Sequence, residues 1–219
     1  SAANNQLREL IEGHRLMEEY RWRFFVLLAL SVTTFPARAL EQPEYKVIDR
    51  IGVVEVRKYA PHIVARTLVS GEFSNAATKG FKPLAGYIFG ANDQDQNISM
   101  TAPVGQAPAP SSTADSRYWI TFSMPKSWTM QTLPNPTNDG VELVQVPEQT
   151  IAVLGYKGSW SQKRFKKHES ELLATLATAP SWSQSGETRW SRYDPPFVPW
   201  FMRTNEVAVE VLASTPRSN

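Results

Sequence analysis

Few side chains in this sequence have the types and spacing needed for covalent chemistry. The 219 residues contain no cysteine, which excludes disulfides, cysteine-based zinc or iron–sulfur sites and a cysteine nucleophile. Neither a Ser-His-Asp spacing nor a Gly-rich phosphate loop surrounds the run NISMTAPV at 97–104. The remaining candidates for chemistry are histidines and a pair of carboxylates.

His62 is the histidine best placed to bind a metal. It follows Pro61 in YAPHIVA, and neutral imidazole is a good ligand for iron. The alternative is that His62 is an exposed residue at the start of a strand. His168 lies beside Phe165 and Leu172 on a predicted helix, where a packing role is favoured. We therefore predict that a metal site, if present, uses His62.

The carboxylates of Glu206 and Glu210, in NEVAVEV, would be the catalytic candidates of a hydrolase. Their four-residue separation places both on one face of a strand and gives no nucleophile partner. An enzymatic activity stays open on this evidence, but a binding protein is favoured, with no catalytic residue assigned.

A binding function would depend on apolar side chains. One candidate group follows the predicted first helix and the run after it: Phe81, Leu84, Ala85, Tyr87, Ile88 and Met100. A second apolar cluster, Trp200, Phe201 and Met202, follows Pro195-Pro196 and could close over a ligand. Burial of a large flat molecule against such side chains would supply about 25 cal/mol per Å² before the costs of ordering.

Composition limits the kind of partner. Hydrophobic residues make up 42% of the chain, and 23 basic residues are mixed with 21 acidic ones. This length and composition suit one domain with a substantial core. Because no basic stripe is present, we expect no nucleic-acid partner.

Residues 1–39 are predicted to lie outside the domain. A mostly apolar run from Phe24 to Phe35 follows Arg21 and Arg23 and ends at Ala37-Arg38-Ala39, a pattern typical of a secretory signal peptide. Export to the periplasm or the exterior would follow from it. The alternatives are a buried amphipathic helix, with a cytoplasmic location, or an uncleaved anchor, which alone would bring the protein to a membrane.

The rest of the chain, 40–219, contains one pattern twice, at about 44–125 and 140–212. Each copy predicts two strands, a helix and two more strands. We therefore predict an α+β fold, in which a duplicated strand-helix-strand-strand unit forms a curved antiparallel eight-stranded sheet or barrel with two flanking helices.

The strand-to-helix junctions of the two copies are similar. Gly71-Glu72-Phe73-Ser74 matches Gly158-Ser159-Trp160-Ser161. We expect each glycine to turn the chain, each aromatic ring to pack under the new helix and each serine to cap it. Pro83 predicts a kink near Phe81 in the first helix. In the second helix, the spacing of Phe165, Leu172, Leu173 and Leu176 predicts one buried stripe.

Four runs together resemble the SOUL haem-binding protein family: EVRKY at 55–59, LAGYIFGAN at 84–92, ISMTAPV at 98–104 and RYDPPFVPWFMRTNEVAVEV at 192–211. The resemblance covers about residues 44–212. It implies a duplicated ferredoxin-like barrel, also similar to the GyrI-like effector-binding domain, and reversible, non-covalent binding of haem or another tetrapyrrole as a carrier or buffer. Other hydrophobic small molecules are the alternative ligands, and a GyrI-like hydrolase is a further one.

The residues that contact haem in relatives are replaced here. Mammalian relatives carry an Arg, two Met and a Lys along the first helix, where this chain has Thr78, Phe81, Ala85 and Gly86. Another relative's proposed axial His corresponds to Lys58. The resemblance therefore implies a ligand bound mainly by apolar contact, with propionates met by Arg57, Lys58 or Lys82. The run Met100 to Pro103 is expected to end a strand, either as core packing or as pocket lining.

Overall fold

The computed structural model describes residues 40–110 and 116–214. The segment from Phe24 to Ala39, with its predicted signal peptide or anchor, lies outside the described residues. Within them, neither helix has the length and apolar character needed to cross a membrane.

Ten strands and two helices make up this part of the chain. The first repeat contains β1 (Tyr45–Ile51), β2 (Val54–Tyr59), β3 (His62–Ser70), α1 (Phe73–Ile88), β4 (Val104–Pro108) and β5 (Arg117–Ser123). The second contains β6 (Val141–Val146), β7 (Gln149–Lys157), α2 (Gln162–Ala177), β8 (Trp182–Gln184), β9 (Arg189–Arg192) and β10 (Thr204–Ala213). The predicted α+β class is confirmed.

The strands form one antiparallel sheet in the order β1-β2-β7-β10-β9-β4-β5-β3-β6, with β8 paired to β10. In the two repeats, β2 corresponds to β6, β3 to β7, β4 to β9 and β5 to β10. When β1 is left out, the strand order is therefore palindromic: it reads the same from either edge once corresponding strands are matched. The two repeats meet at the centre, where β4 pairs with β9. The predicted duplication is therefore visible in the strand pairing.

Two strands add to the predicted eight. β1 extends one edge through its pairing with β2, and β8 adds a short ladder to the end of β10. The sheet is curved but does not close into a barrel, since the path runs from β1 at one edge to β6 at the other.

The two faces of the sheet have different environments. On the helix face, alternate residues of β10, namely Val207, Val209 and Val211, join the main core with side chains of α1 and α2. On the opposite face, which we call the inner face, Ala208 packs with Ile151 and Val153. The period of two along each strand thus divides its side chains between the helices and the inner face.

The two helices begin differently despite the matching junctions. Gly71 and Gly158 both have positive φ, at 119° and 141°, as expected for glycines that turn the chain. Ser161 caps α2 and accepts a hydrogen bond from the Arg164 backbone N–H. Ser74, by contrast, lies inside α1, whose N-cap is Glu72 and has no side-chain capping bond. The predicted Ser74 cap is wrong, because α1 starts before it.

The predicted apolar stripe of α2 is confirmed. Phe165, Leu172 and Leu176 are buried, and Leu173 is partly buried against the same core. The Phe165 ring packs 5.2 Å from that of Phe73, between ring centroids, and Phe73 lies 4.9 Å from Trp190. These edge-to-face contacts join α1, α2 and β9. α1 continues through Pro83 to Ile88.

The run MTAPV does not end a strand. Residues 97–103 contain only isolated bridges at Asn97 and Thr101, and β4 starts at Val104, after a cis peptide bond between Ala102 and Pro103. The Thr101 hydroxyl donates a hydrogen bond to the Ser123 carbonyl, at 2.6 Å. The run therefore leads into a strand, and Pro103 precedes the ladder that it was expected to terminate.

Candidate functional site

A large, mostly apolar cavity lies beside α1, on the helix face of the sheet. We call it the α1 cavity; its volume is about 630 Å³, inside the range of roughly 300–1,000 Å³ that is usual for ligand sites. It is lined by Leu40, Ala77, Thr78, Phe81, Lys82, Met100, Thr101, Ala102, Val104, Trp160, Arg192, Tyr193, Asp194, Pro195 and Pro196. Most of this surface is apolar, so the cavity suits a hydrophobic molecule.

Arg192 is a charged residue in the wall of the α1 cavity and is only 8% exposed. Strand alternation in β9 places it on the same face as the buried Trp190. Its Nη2 donates to Gln106 Oε1 at 3.0 Å, and its buried Nε has no partner among the described residues. In the same part of the chain, no carboxylate lies within salt-bridge distance of the guanidinium.

Burial without an acidic partner affects the acid–base behaviour of Arg192. Desolvation lowers its pKa to about 10, because a low-dielectric surrounding disfavours the charged form. The group is nevertheless cationic at neutral pH. A carboxylate that entered the cavity could pair with this guanidinium, which has no carboxylate of the described residues within salt-bridge distance.

Trp160 forms another part of the wall. Its ring lies beneath two guanidinium groups, with Cζ of Arg192 and Arg203 at 5.3 and 4.1 Å from the ring centroid, distances typical of cation–π contacts. Arg203 also donates from Nε to the Val198 carbonyl at 2.8 Å. Trp160 is therefore held between the sheet and the loop that follows β9. Trp160 is not part of the main core beneath α2, where the sequence had suggested it would pack; Phe165, on α2 itself, is part of that core.

The predicted pocket residues of the first helix and of the run after it separate into three groups. Phe81 and Met100 line the α1 cavity. Leu84, Tyr87 and Ile88 are almost completely buried in the core beneath α1, where the Tyr87 hydroxyl donates to the Pro134 carbonyl at 3.0 Å. Ala85 is half-buried and does not line the cavity. The face of α1 that packs on the sheet is thus distinct from the face that borders the cavity.

The three basic residues predicted to pair with propionates also lie in different parts of the molecule. Lys82 lines the α1 cavity. Arg57 lies on β2, where its Nη1 is 2.9 Å from Glu206 Oε1 in a buried ion pair. Lys58 pairs with Glu148 at 2.8 Å on the surface. Only Lys82 is placed where it could meet a ligand in the cavity.

His62 lies away from the α1 cavity. It borders a smaller pocket on the inner face, and its Nδ1 donates to the Ala60 carbonyl at 2.9 Å. Burial, and then the nearby Arg189, lower the pKa of His62. None of the described residues that line the α1 cavity is a histidine, and no cluster of three potential metal-binding side chains occurs in residues 40–110 and 116–214.

The carboxylates considered for hydrolysis point to the inner face. Glu206 accepts hydrogen bonds from Arg57 and from the Tyr193 hydroxyl, so it is already paired. Glu210 lies four residues further along β10, on the same face. The aromatic cluster of Trp200 and Phe201, with Met202, is exposed and does not border the α1 cavity.

Arg192 and Trp160 are among the cavity residues that the sequence reasoning missed. The signal for Arg192 was present: in RWSR, an arginine shares the strand face of a buried tryptophan, and a charged residue on a buried face calls for a partner. The signal for Trp160 was misread, because its junction resembles that of Phe73. Helix α2 begins after Trp160, whereas α1 begins at Phe73.

Comparison with solved structures places this fold beside two others. The C-terminal domain of EcmrR has a TM-score of 0.57 and 11% identity, covering 77% of this chain and 98% of that domain. A hydrolase from Listeria innocua has a TM-score of 0.52 and 10% identity, covering 73% and 91%. At these identities, the likeness concerns the fold alone.

Sequence comparison gives nearer relatives. Heme-binding protein 2 of Mus musculus is 32% identical over 146 residues, which make up 64% of this chain and 69% of that protein. Heme-binding protein 1 of Xenopus laevis is 24% identical over 180 residues, or 76% and 94% of the two chains. A family model described as SOUL heme-binding protein matches residues 40–210. The chain therefore belongs to the SOUL heme-binding protein family.

Proposed function

We propose that the protein binds haem or a related tetrapyrrole non-covalently in the α1 cavity, as a carrier or buffer. The observation that carries the proposal is an apolar cavity of about 630 Å³ whose wall contains the buried guanidinium of Arg192. Among the described residues, this guanidinium has no carboxylate within salt-bridge distance. Membership of the family and the names of the relatives support the same ligand class.

The residues present fit the chemistry of a tetrapyrrole. Its macrocycle is large, flat and apolar, and Phe81, Met100 and Trp160 offer it aromatic and thioether surfaces. Its propionates are carboxylates, for which Arg192 is the buried partner and Lys82 a second one. A hydrogen bond to a charged group contributes about 1.5–3 kcal/mol.

Haem would bring its iron centre, with the redox and ligand-binding chemistry of that centre, while the chain supplies the binding site. The proposed site lies on the helix face, where His62 does not reach it. Retention therefore depends on the buried apolar area and on the Arg192 pair rather than on an imidazole bond. This arrangement suits reversible exchange of the ligand.

Titration followed by Soret absorption tests the proposal. Haem should give a saturable spectral change at one equivalent, and Phe81→Asp should abolish most of it, because a charge in the cavity wall opposes an apolar ligand. Phe89→Asp is the matched control, since Phe89 is exposed and outside the cavity wall. A linear, non-saturating response of the wild-type protein would overturn the proposal.

The role of Arg192 is tested separately with the haem dimethyl ester, whose propionates carry no charge. We expect the ester to bind the wild-type protein about tenfold or more weakly than haem. Arg192→Met should remove this preference, and Arg66→Met, on the inner face, should keep it. Equal affinity for both ligands would leave haem binding in place and contradict the role of Arg192.

Other hydrophobic carboxylates are the second candidate ligands, since Arg192 and Lys82 in the cavity wall could pair with any acid group. A native mass spectrum of the purified protein distinguishes the two. A co-purified tetrapyrrole supports the first proposal, and a different amphiphilic acid in its place supports the second.

A further inference from the structure

A second pocket opens on the inner face of the sheet, across the strands from the α1 cavity. Its volume is about 260 Å³, and Tyr59, Val64, Trp119, Val144 and Ile151 contribute its apolar and aromatic walls. These residues come from β2, β3, β5, β6 and β7, which the curvature of the sheet brings together. The volume suits a ligand of about one ring, much smaller than a tetrapyrrole.

Two of the charged groups in this pocket are already paired. The Glu206 carboxylate accepts from Arg57 at 2.9 Å and from the Tyr193 hydroxyl. Arg66 pairs with Glu142 at 2.8 Å, and its guanidinium lies over the Trp119 ring. These pairs leave little net charge at either position.

Arg189 is different. Among the described residues, its only side-chain hydrogen bond is from Nη1 to Gln149 Oε1, a neutral acceptor at 3.3 Å, and no carboxylate of that part of the chain lies within salt-bridge distance. Glu210 acts on it only from further away, and burial lowers the pKa of Arg189. Its positive charge also lowers the pKa of His62. Of the arginines that line the pocket, Arg189 is therefore the one with no carboxylate of the described residues within salt-bridge distance.

We propose that this inner-face pocket binds a small organic carboxylate with an aromatic or apolar body. The carboxylate would pair with the Arg189 guanidinium, whose planar donors match two carboxylate oxygens. The body would lie against Tyr59, Trp119 and Ile151. A cationic ligand does not fit this charge pattern, because Glu206 is already neutralised by Arg57. The pocket shares Tyr193 with the lining of the α1 cavity, but Arg189 and the apolar walls named above are not part of that cavity, so this proposal does not rest on haem binding.

Three ligands of nearly equal shape test the charge requirement on the wild-type chain: benzoate, benzyl alcohol and benzylamine, each by isothermal titration calorimetry in a carboxylate-free buffer. We expect benzoate to bind at least tenfold more tightly than the other two. Equal affinities, a preference for benzylamine, or no benzoate binding at millimolar concentration would each overturn the proposal.

Two variants, one in each pocket, show which pocket binds benzoate. Arg189→Gln should weaken benzoate binding at least tenfold and leave the haem titration unchanged, while Arg192→Met should leave benzoate binding unchanged. Benzoate binding that survives Arg189→Gln but falls in Arg192→Met would assign the ligand to the α1 cavity and overturn the inner-face site. The haem titration is measured separately from benzoate binding. Either proposal can therefore be contradicted while the other holds.

Discussion

Phe165 and Trp160 are five residues apart but contribute to different parts of the molecule. Phe165 is fully buried and contacts the rings of Phe73, Tyr156 and Trp190. Trp160 is only partly buried and borders the α1 cavity. One side chain therefore serves the core, and the other serves the site.

We predict that Phe165→Ala lowers the free energy of unfolding by about 3–5 kcal/mol, because it leaves a cavity between α1 and α2. Trp160→Ala should cost clearly less stability but weaken haem binding, since it removes part of the ligand surface. Urea denaturation and Soret titration of both variants measure the two effects. Equal losses of stability in the two variants would indicate that Trp160 packs in the core as Phe165 does.

At the residue scale, the sequence could identify side-chain types but not their partners. Phe81 and Met100 were predicted as pocket residues, and they line the cavity. The ion pair of Arg57 with Glu206 joins residues 149 positions apart, and such a pair depends on the order of strands in the sheet. Leu84, Tyr87 and Ile88 could not be separated from Phe81 without knowing which face of α1 meets the sheet.

At the element scale, Gly80 determines how closely α1 approaches the sheet. A Cβ atom at this position would lie 2.5 Å from Cγ1 of Ile120 on β5, and Ile120 is fully buried. Gly86, on the same helix, has its nearest neighbour at 3.9 Å. Close packing against β5 therefore requires glycine at position 80, whereas packing leaves room for a side chain at position 86.

We predict that Gly80→Ala destabilises the protein by about 1–3 kcal/mol, because the helix must move away from Ile120. Gly86→Ala, the matched control, should be neutral or stabilising by up to about 1 kcal/mol, as expected for alanine in a helix. Chemical denaturation of both variants provides the measurement. A stabilising Gly80→Ala would mean that α1 can shift without cost.

The elements themselves were largely predictable, and their ends were not. Apolar periodicity located α2 and its stripe, and alternation located most strands. The Ser74 cap and the end of a strand at Pro103 were wrong, because residue types typical of caps and turns also occur one or two positions inside or before an element. β1 and β8 were missed as strands, since each lies at or near an edge and has little buried apolar pattern.

At the scale of the whole molecule, the residues just before β1, at 40–44, also contact the rest of the domain. The Glu41 carbonyl accepts from the Ala102 N–H at 2.9 Å, and its carboxylate accepts from the Lys126 N–H at 2.7 Å. Leu40 adds to the wall of the α1 cavity.

We predict that a chain starting at Leu40 unfolds cooperatively with the stability of the full chain, whereas one starting at Glu44 loses about 1–3 kcal/mol with these hydrogen bonds. Thermal or urea unfolding of the two truncated chains compares them. Aggregation of the chain that starts at Leu40 would show that residues 1–39 contribute to the core.

The palindromic strand order also determines what each repeat can do alone. β2 pairs with β7 of the second repeat, and β6 pairs with β3 of the first, so each repeat gives its leading strand to the other. A cut between β5 and β6 would leave two interlocked fragments rather than two domains. We expect a polypeptide carrying only one repeat to find the acceptor for that strand in another copy of itself, and the two-repeat chain is in this sense comparable to a strand-exchanged dimer joined into a single polypeptide.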